Sequence, residues 1–270
     1  MNRTPIAFIG GGNMARALIG GLLQAGHPAE RITLADPGDK ARQAAASDFG
    51  VRVTANNLEA VASAELVVLA IKPQIMAGVL DELAGQLPEQ ALVISVAAGI
   101  TLNAMADRLG DERALVRAMP NTPALYGAGM TGLVANAAVD RAGREQAEAV
   151  LGACGQTVWL EDEALMDVVT AVSGSGPAYF FALCEQLALA GERAGLSPVV
   201  AAQLARQTAF GAGLMLVESG LSPAELRMRV TSPGGTTQAA LESLGRDGFE
   251  RQIERAVQAA VQRGRELGEA

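Results

Sequence analysis

The first 160 residues alternate short apolar runs with longer Ala-rich stretches, and no other feature narrows the fold as much. The runs Ile6–Ile9, Ile32–Ala35, Val51–Thr54, Leu66–Ile71, Leu92–Val96 and Leu115–Met119 are rich in Val, Ile and Leu, and too short for buried helices. Segments such as Met14–Ala25 and Ile75–Leu87 lie between them and are long enough for helices. Apolar strands separated by helices are βαβ units, which set the strands parallel and cover both faces of the sheet. Two more β-like runs, Thr131–Ala135 and Thr157–Leu160, extend that sheet.

After Leu160 no run reads as a strand, so the chain is expected to divide there, into 1–160 and 161–270. Ser197-Pro198 and Ser222-Pro223 each place a hydroxyl at an N-cap and Pro at the first helical position, while Gly195 and Gly220 end the preceding helices. The segments Ala178–Ala190 and Val199–Val217 are apolar on almost every side, and such helices must be buried. A domain of about 110 residues has too much surface for its volume to bury both alone. A homodimer through the helical domain is therefore expected. A monomer whose sheet domain covers these helices is the plainer alternative.

Charge and the rarer residues exclude several function classes. Lys+Arg 21 against Asp+Glu 29 leaves a net charge of −8, which argues against nucleic acid or an anionic membrane as a partner. Cys154 and Cys184 are too few for a disulfide framework and lack metal-ligand spacing, so no metal is expected. The start, Met1 to Pro5, runs straight into a short apolar strand, and no later stretch is long enough to span a bilayer. A soluble cytoplasmic protein is the expectation. His27 is the one histidine, and Lys40 and Lys72 are the two lysines, so a His or Lys acid in the second half is excluded. His27 follows Gly26 at a helix end and reads as structural.

Between the first strand and its helix stands Ile9-Gly10-Gly11-Gly12-Asn13-Met14-Ala15. Gly10, Gly12 and Ala15 fit G-x-G-x-x-A: a tight turn, a bare backbone against a pyrophosphate, and a small residue where helix meets strand. The following helix points its first amides at the phosphates. Strand before and helix after make this a Rossmann-type doubly wound domain that binds a dinucleotide, not a bare glycine turn. Asp36 ends the second strand, where a carboxylate accepts from the ribose 2′-hydroxyl and repels a 2′-phosphate. It favours NADH, or mixed use of NADH and NADPH; a turn Asp before Pro37 is the plainer reading. Three further loops leave the same sheet edge: Ala70-Ile71-Lys72-Pro73, Val96-Ala97-Ala98-Gly99 and Met119-Pro120-Asn121-Thr122-Pro123. Small residues in the second let a nicotinamide lie close to backbone, and the two prolines of the third hold Asn121 in a rigid turn.

In the helical half, Ser173-Gly174-Ser175-Gly176-Pro177 and Thr231-Ser232-Pro233-Gly234-Gly235-Thr236-Thr237 each stand before a helical segment. Backbone amides and hydroxyls at a helix start suit a small carboxylate without any Lys or Arg. Ordinary capping turns are the alternative.

These motifs, with Phe8-Ile9-Gly10-Gly11-Gly12-Asn13-Met14, Lys72-Pro73 and Met119-Pro120-Asn121-Thr122-Pro123, make the chain resemble pyrroline-5-carboxylate reductases over essentially its whole length. The resemblance implies reduction of 1-pyrroline-5-carboxylate to L-proline with NADPH or NADH. It also implies a dimerising helical domain with substrate at the subunit interface, and in some relatives a ring of dimers. By the resemblance Ser232, Gly234 and Gly235 hold the substrate carboxylate, with Thr236 and Ser175 beside them, and Thr237 contacts the ring nitrogen. Asn57 matches a position near the adenosine 2′-phosphate. The expected cofactor set is Ile9, Gly10, Gly12, Asn13, Met14, Asp36, Asn57, Ala70, Lys72, Pro73, Ala97, Gly99 and Asn121.

The chemistry agrees. Reducing a ketone creates an alkoxide and needs a His or Lys acid, whereas a cyclic imine can enter protonated and accept hydride without one. A neutral imine would take its proton from Thr237 or water. A β-hydroxyacid dehydrogenase is the enzymatic alternative, but it needs a lysine in the second domain and none follows Lys72. A dinucleotide-binding sensor without turnover is the other.

Overall fold

The computed structural model describes residues 4–268. The first part runs β1 (Ile6–Ile9), α1 (Asn13–Gln24), β2 (Ile32–Ala35), α2 (Asp39–Phe49), β3 (Arg52–Thr54), α3 (Asn57–Val61), β4 (Leu66–Leu69) and α4 (Pro73–Leu83). It continues through β5 (Leu92–Ser95), α5 (Leu102–Leu109), β6 (Leu115–Met119), β7 (Gly129–Ala135), α6 (Arg141–Leu151) and β8 (Gly155–Trp159). Then come helices only: α7 (Met166–Val169), α8 (Gly176–Arg193), α9 (Pro198–Glu218), α10 (Pro223–Arg229), α11 (Thr236–Arg246) and α12 (Phe249–Gly268).

The eight strands form one sheet in the order β3-β2-β1-β4-β5-β6-β7-β8. Its first six strands are parallel and ordered as in a doubly wound dinucleotide fold. β7 returns antiparallel to β6, and β8 runs parallel to β7. Strands β1, β4 and β5 are buried at every residue, because helices cover both faces. Along β1 the side chains alternate: Ile6 and Phe8 join one core with Leu18, Leu34 and Val68, while Ala7 and Ile9 join the other with Leu69, Met76 and Leu80. β4 and β5 stop at Leu69 and Ser95, short of the Ile71 and Val96 expected. Just beyond, Ala70 and Val96 still donate to the Ile9 and Leu69 carbonyls at 2.8 and 3.1 Å, and Ala70 and Ile71 line the cleft at the carboxyl edge of the sheet.

The chain divides into two compact units, Met1–Ser175 with Ala260–Ala270, and Gly176–Ala259. The compact units part after residue 175, because side chains bind the segment that follows Leu160 to the sheet. Arg117 on β6, only 5% exposed, pairs with Glu163 at 2.8 Å and with Asp167 at 3.8 Å. The same Glu163 oxygen accepts from the Leu102 amide at 2.9 Å, at the start of α5. Nothing drew attention to this cluster in the sequence except one arginine inside the apolar strand Leu-Val-Arg-Ala-Met.

The Ser173–Pro177 motif does not open a helix, as the sequence suggested. Helical backbone is already present from Met166, passes through a π-helical turn at Thr170–Gly174 and enters α8. The Ser175 amide is spent on the Thr170 carbonyl at 2.8 Å, so this motif is not a helix start with free amides. Pro177 explains the turn. It has no N–H for the Ser173 carbonyl four residues back, and its ring crowds that group. Asn121 supplies the missing donor, its Nδ2 reaching the Ser173 carbonyl at 3.2 Å.

In the second unit α8 and α9 pack on each other around Ala201 and Ala205, which are buried. Their remaining apolar surface is open in the single chain: Phe181 is 67% exposed, Phe210 64% and Val217 68%. Uncovered apolar surface on this scale marks an interface. Among the described residues no helix is long and apolar enough to cross a membrane. His27 is buried at the end of α1, where its amide donates to the Leu22 carbonyl at 2.9 Å. Burial also pushes the Cys154 thiol above its ordinary pKa, and Sγ donates to the Ala17 carbonyl at 2.9 Å.

Candidate active site

Gly10 and Gly12 serve different masters. Gly10 has φ +99°, and a Cβ there would lie 2.6 Å from the Ala70 carbonyl oxygen and 2.8 Å from Ile71 Cγ2. Its amide donates to the Ala35 carbonyl at 2.7 Å, so the turn is tied to β2 while pressed against the end of β4. Gly12 sits at the N-cap of α1 with an ordinary extended backbone, φ −72° and ψ −177°, and a Cβ there would meet nothing within 4 Å. The chain itself does not require Gly12, and its bare backbone leaves the first amides of α1 open to a ligand. Ala15 is fully buried against the sheet. A bare backbone, a free helix start and open space before it fit a pyrophosphate.

The cleft in front of this turn holds about 550 Å³ and lies between β1 and β4, where the strand order reverses. Ile9, Gly10, Gly12, Asp36, Asn57, Ala70 and Lys72 of the expected cofactor set line it. Asp36 is anchored at both oxygens: the Gly11 amide donates to Oδ2 and the Gly38 amide to Oδ1, each at 2.8 Å. Arg42, the first arginine after Asp36, donates to the Asp36 carbonyl oxygen at 2.6 Å and pairs with Asp39. Asn57 turns its amide to Glu82 at 2.7 Å.

The other expected cofactor residues are spread more widely. Asn13 and Met14 form the first turn of α1 beside Gly12, Met14 half-buried against the core. Pro73, at the first position of α4, and Gly99 line a neighbouring cavity of about 490 Å³. At Gly99, φ +76°, a Cβ would come within 3.3 Å of the Leu267 carbonyl oxygen, so the end of α12 uses the smallness of this residue. Ala97 is buried, with its amide on Ser95 Oγ at 3.3 Å. Asn121 is outside the cleft lining; its carboxamide accepts from the Met130 amide at 2.9 Å and reaches the Ser173 hydroxyl at 3.3 Å as well as the carbonyl. Ser175 is half-buried just beyond.

In the second unit Ser232, Gly234, Gly235, Thr236 and Thr237 share one turn at the start of α11. Gly234 takes φ +71°, and the Gly235 amide closes on the Ser232 carbonyl at 3.0 Å. Thr236 and Thr237 are the first two helical residues, whose amides have no carbonyl within the helix. Gln238 holds the Gly234 amide through Oε1 at 2.8 Å and donates to Glu242 at 2.8 Å. A Gln at the third helical position is a known capping signal, and the sequence did carry it.

A doubly wound sheet with a fingerprint cleft, followed by a helical unit with an anion-type turn, defines a dinucleotide-dependent enzyme of two-unit construction. Comparison with known proteins narrows the class. Residues 163–267 match the family described as pyrroline-5-carboxylate reductase dimerisation, and residues 5–99 match one described as NADP oxidoreductase coenzyme F420-dependent. A pyrroline-5-carboxylate reductase from Pseudomonas aeruginosa is 51% identical over 269 residues, covering 100% of this chain and 98% of the relative. The solved reductase from Coxiella burnetii superposes with a TM-score of 0.96 at 40% identity, covering 100% of both chains. That from Plasmodium falciparum, solved with NADP bound, superposes at 0.86 with 30% identity and 99% coverage of each chain. The chain belongs to the pyrroline-5-carboxylate reductase family.

Proposed function

We propose that the chain catalyses the NAD(P)H-dependent reduction of 1-pyrroline-5-carboxylate to L-proline, the last step of proline synthesis, as a cytoplasmic homodimer joined through its helical unit. The observation that carries this reading is the Ser232–Thr237 turn, in a chain 51% identical to a relative of that name over its full length. A ring of dimers is the larger assembly compatible with it.

When bound, the reduced nicotinamide supplies a hydride. The chain's own residues then have three tasks. The Gly10–Gly12 turn and the start of α1 hold the pyrophosphate, and Asp36, Asn57, Ala70, Lys72 and Pro73 orient the rest of the dinucleotide. Ser232, Gly234, Gly235 and Thr236 take the substrate carboxylate on backbone amides and hydroxyls, so no basic side chain is required. Thr237 places its hydroxyl at the ring nitrogen. The C=N carbon gains hydride and the nitrogen ends protonated. A protonated imine needs only position, which explains how a second half without His or Lys performs a reduction.

The test follows the near-ultraviolet absorbance of the reduced cofactor with pyrroline-5-carboxylate beside a panel of 3-keto acids. Oxidation with the imine alone is expected. Oxidation with a 3-keto acid instead, or binding of cofactor without turnover of the imine, overturns the reading.

A further inference from the structure

We propose that this cleft selects NADH over NADPH and that Asp36 is the residue that selects. The inference rests on the dinucleotide reading of the cleft but not on the identity of the reduced substrate.

Asp36 ends β2, where the adenosine ribose of a dinucleotide meets the sheet. Two backbone amides, Gly11 and Gly38 at 2.8 Å each, hold its carboxylate in place. Each oxygen has a second lone pair left, which suits the hydroxyls of a ribose. A 2′-phosphate would instead meet a fixed negative charge that cannot swing away without releasing both amides.

Among the described residues no ion pair joins a cation to the Asp36 carboxylate. Arg42 is held by the Asp36 carbonyl and by Asp39. Lys72 follows Ala70 and Ile71, which pack on Gly10, so it lines the cleft at the fingerprint end. Lys40 is exposed on α2. Asn57, the neutral residue expected at a 2′-phosphate, is turned to Glu82 at 2.7 Å. Glu59, hydrogen-bonded to Thr54, adds another carboxylate on α3. Asp36 is thus the carboxylate that lines the cleft, and Glu82 stands behind Asn57, which lines it too.

Asp36 also has a second task. By bridging Gly11 and Gly38 it ties the fingerprint turn to the loop after β2, so it positions the pyrophosphate site as well as reading the ribose.

The experiment titrates the full-length protein, without substrate, with NADH and NADPH by nicotinamide fluorescence, and with 5′-ADP and 2′,5′-ADP by calorimetry. The parent should bind the form lacking the 2′-phosphate about tenfold or more tightly in both pairs. Asp36→Asn keeps an acceptor for one amide and removes the charge, so both ratios should contract to within about threefold. Glu82→Gln, on the exposed face of α4, should contract them less and serves as the deciding variant if Asp36→Asn does not fold. A parent that binds the 2′-phosphorylated form equally or better, or ratios unchanged in the folded variants, overturns the inference. If none of the four ligands binds, the dinucleotide reading itself fails.

Discussion

The two fingerprint glycines allow a sharp separation of folding from binding. Gly12→Ala introduces a methyl that meets nothing within 4 Å, on a backbone of φ −72° that any residue adopts. The unfolded-state gain of about 0.4–1 kcal/mol from replacing Gly is offset by loss of a good N-cap, about 0.5–1 kcal/mol. Stability should stay within about 1 kcal/mol of the parent. The methyl stands where the pyrophosphate must approach. Losing one charge-assisted hydrogen bond there costs about 1.5–3 kcal/mol, or about 10- to 100-fold in dinucleotide affinity. Gly10→Ala is the opposite case. With φ +99° and contacts of 2.6 and 2.8 Å to Ala70 and Ile71, the new Cβ strains the backbone and collides with the end of β4. A loss of about 3 kcal/mol or more is expected, lowering Tm by about 6–12 °C. Urea unfolding at matched protein concentration and NADH fluorescence titration measure the two quantities on each variant. A Gly12→Ala protein that binds NADH like the parent, or a Gly10→Ala protein as stable as the parent, refutes the assignment of these roles.

Removing Glu163 by Glu163→Ala leaves Arg117 buried with only Asp167 at 3.8 Å, and stability should fall by about 2–3 kcal/mol, below the 3–5 of a fully orphaned charge. In a cycle with Arg117→Met, a double variant as unstable as the sum of the single losses would show that the pair is not coupled. Burial holds the His27 imidazole below its ordinary pKa, so the unfolded chain binds the extra proton first. The stabilising effect of keeping His27 neutral is whole at neutral pH and is lost as pH falls through the unfolded pKa, about 6.5, towards the lower folded one. Urea midpoints from pH 7.5 down to 5 should therefore fall less steeply in His27→Leu than in the parent. Phe181→Glu combined with Phe210→Glu places charges on the open face of α8 and α9, where both phenylalanines are mostly exposed in one chain. Sedimentation should change from dimer to monomer; an unchanged dimer would move the interface elsewhere.

Local rules made much of the architecture legible. The strand runs fell within a residue or two of their observed ends because βαβ strands buried on both faces leave a continuous apolar signature. The fingerprint could be read because each of its small residues answers a local steric demand. Gln238, at the third helical position after Gly235, is a capping residue that the sequence pattern also marks. The cluster of Arg117, Glu163 and Asp167 and the reach of Asn121 to Ser173 were not legible, since their partners lie 46 to 52 residues apart in sequence. The Ser173–Pro177 motif was read as a helix start because Ser, Gly and Pro usually mark one. Only the helix entering from Met166 shows that Pro177 forces a π turn instead.

Periodicity and residue type thus determined the class of fold, the dinucleotide turn and the absence of a His or Lys acid after Lys72. Those features depend on neighbours along the chain. Tertiary structure alone decided which glycine the chain's own packing needs and which it leaves free, where the compact units divide, and that Asp36 is pinned while Arg42 and Asn57 are turned to other partners. These depend on which groups meet across the sheet edge, and a hydrogen bond between distant segments has no trace in the spacing of either one.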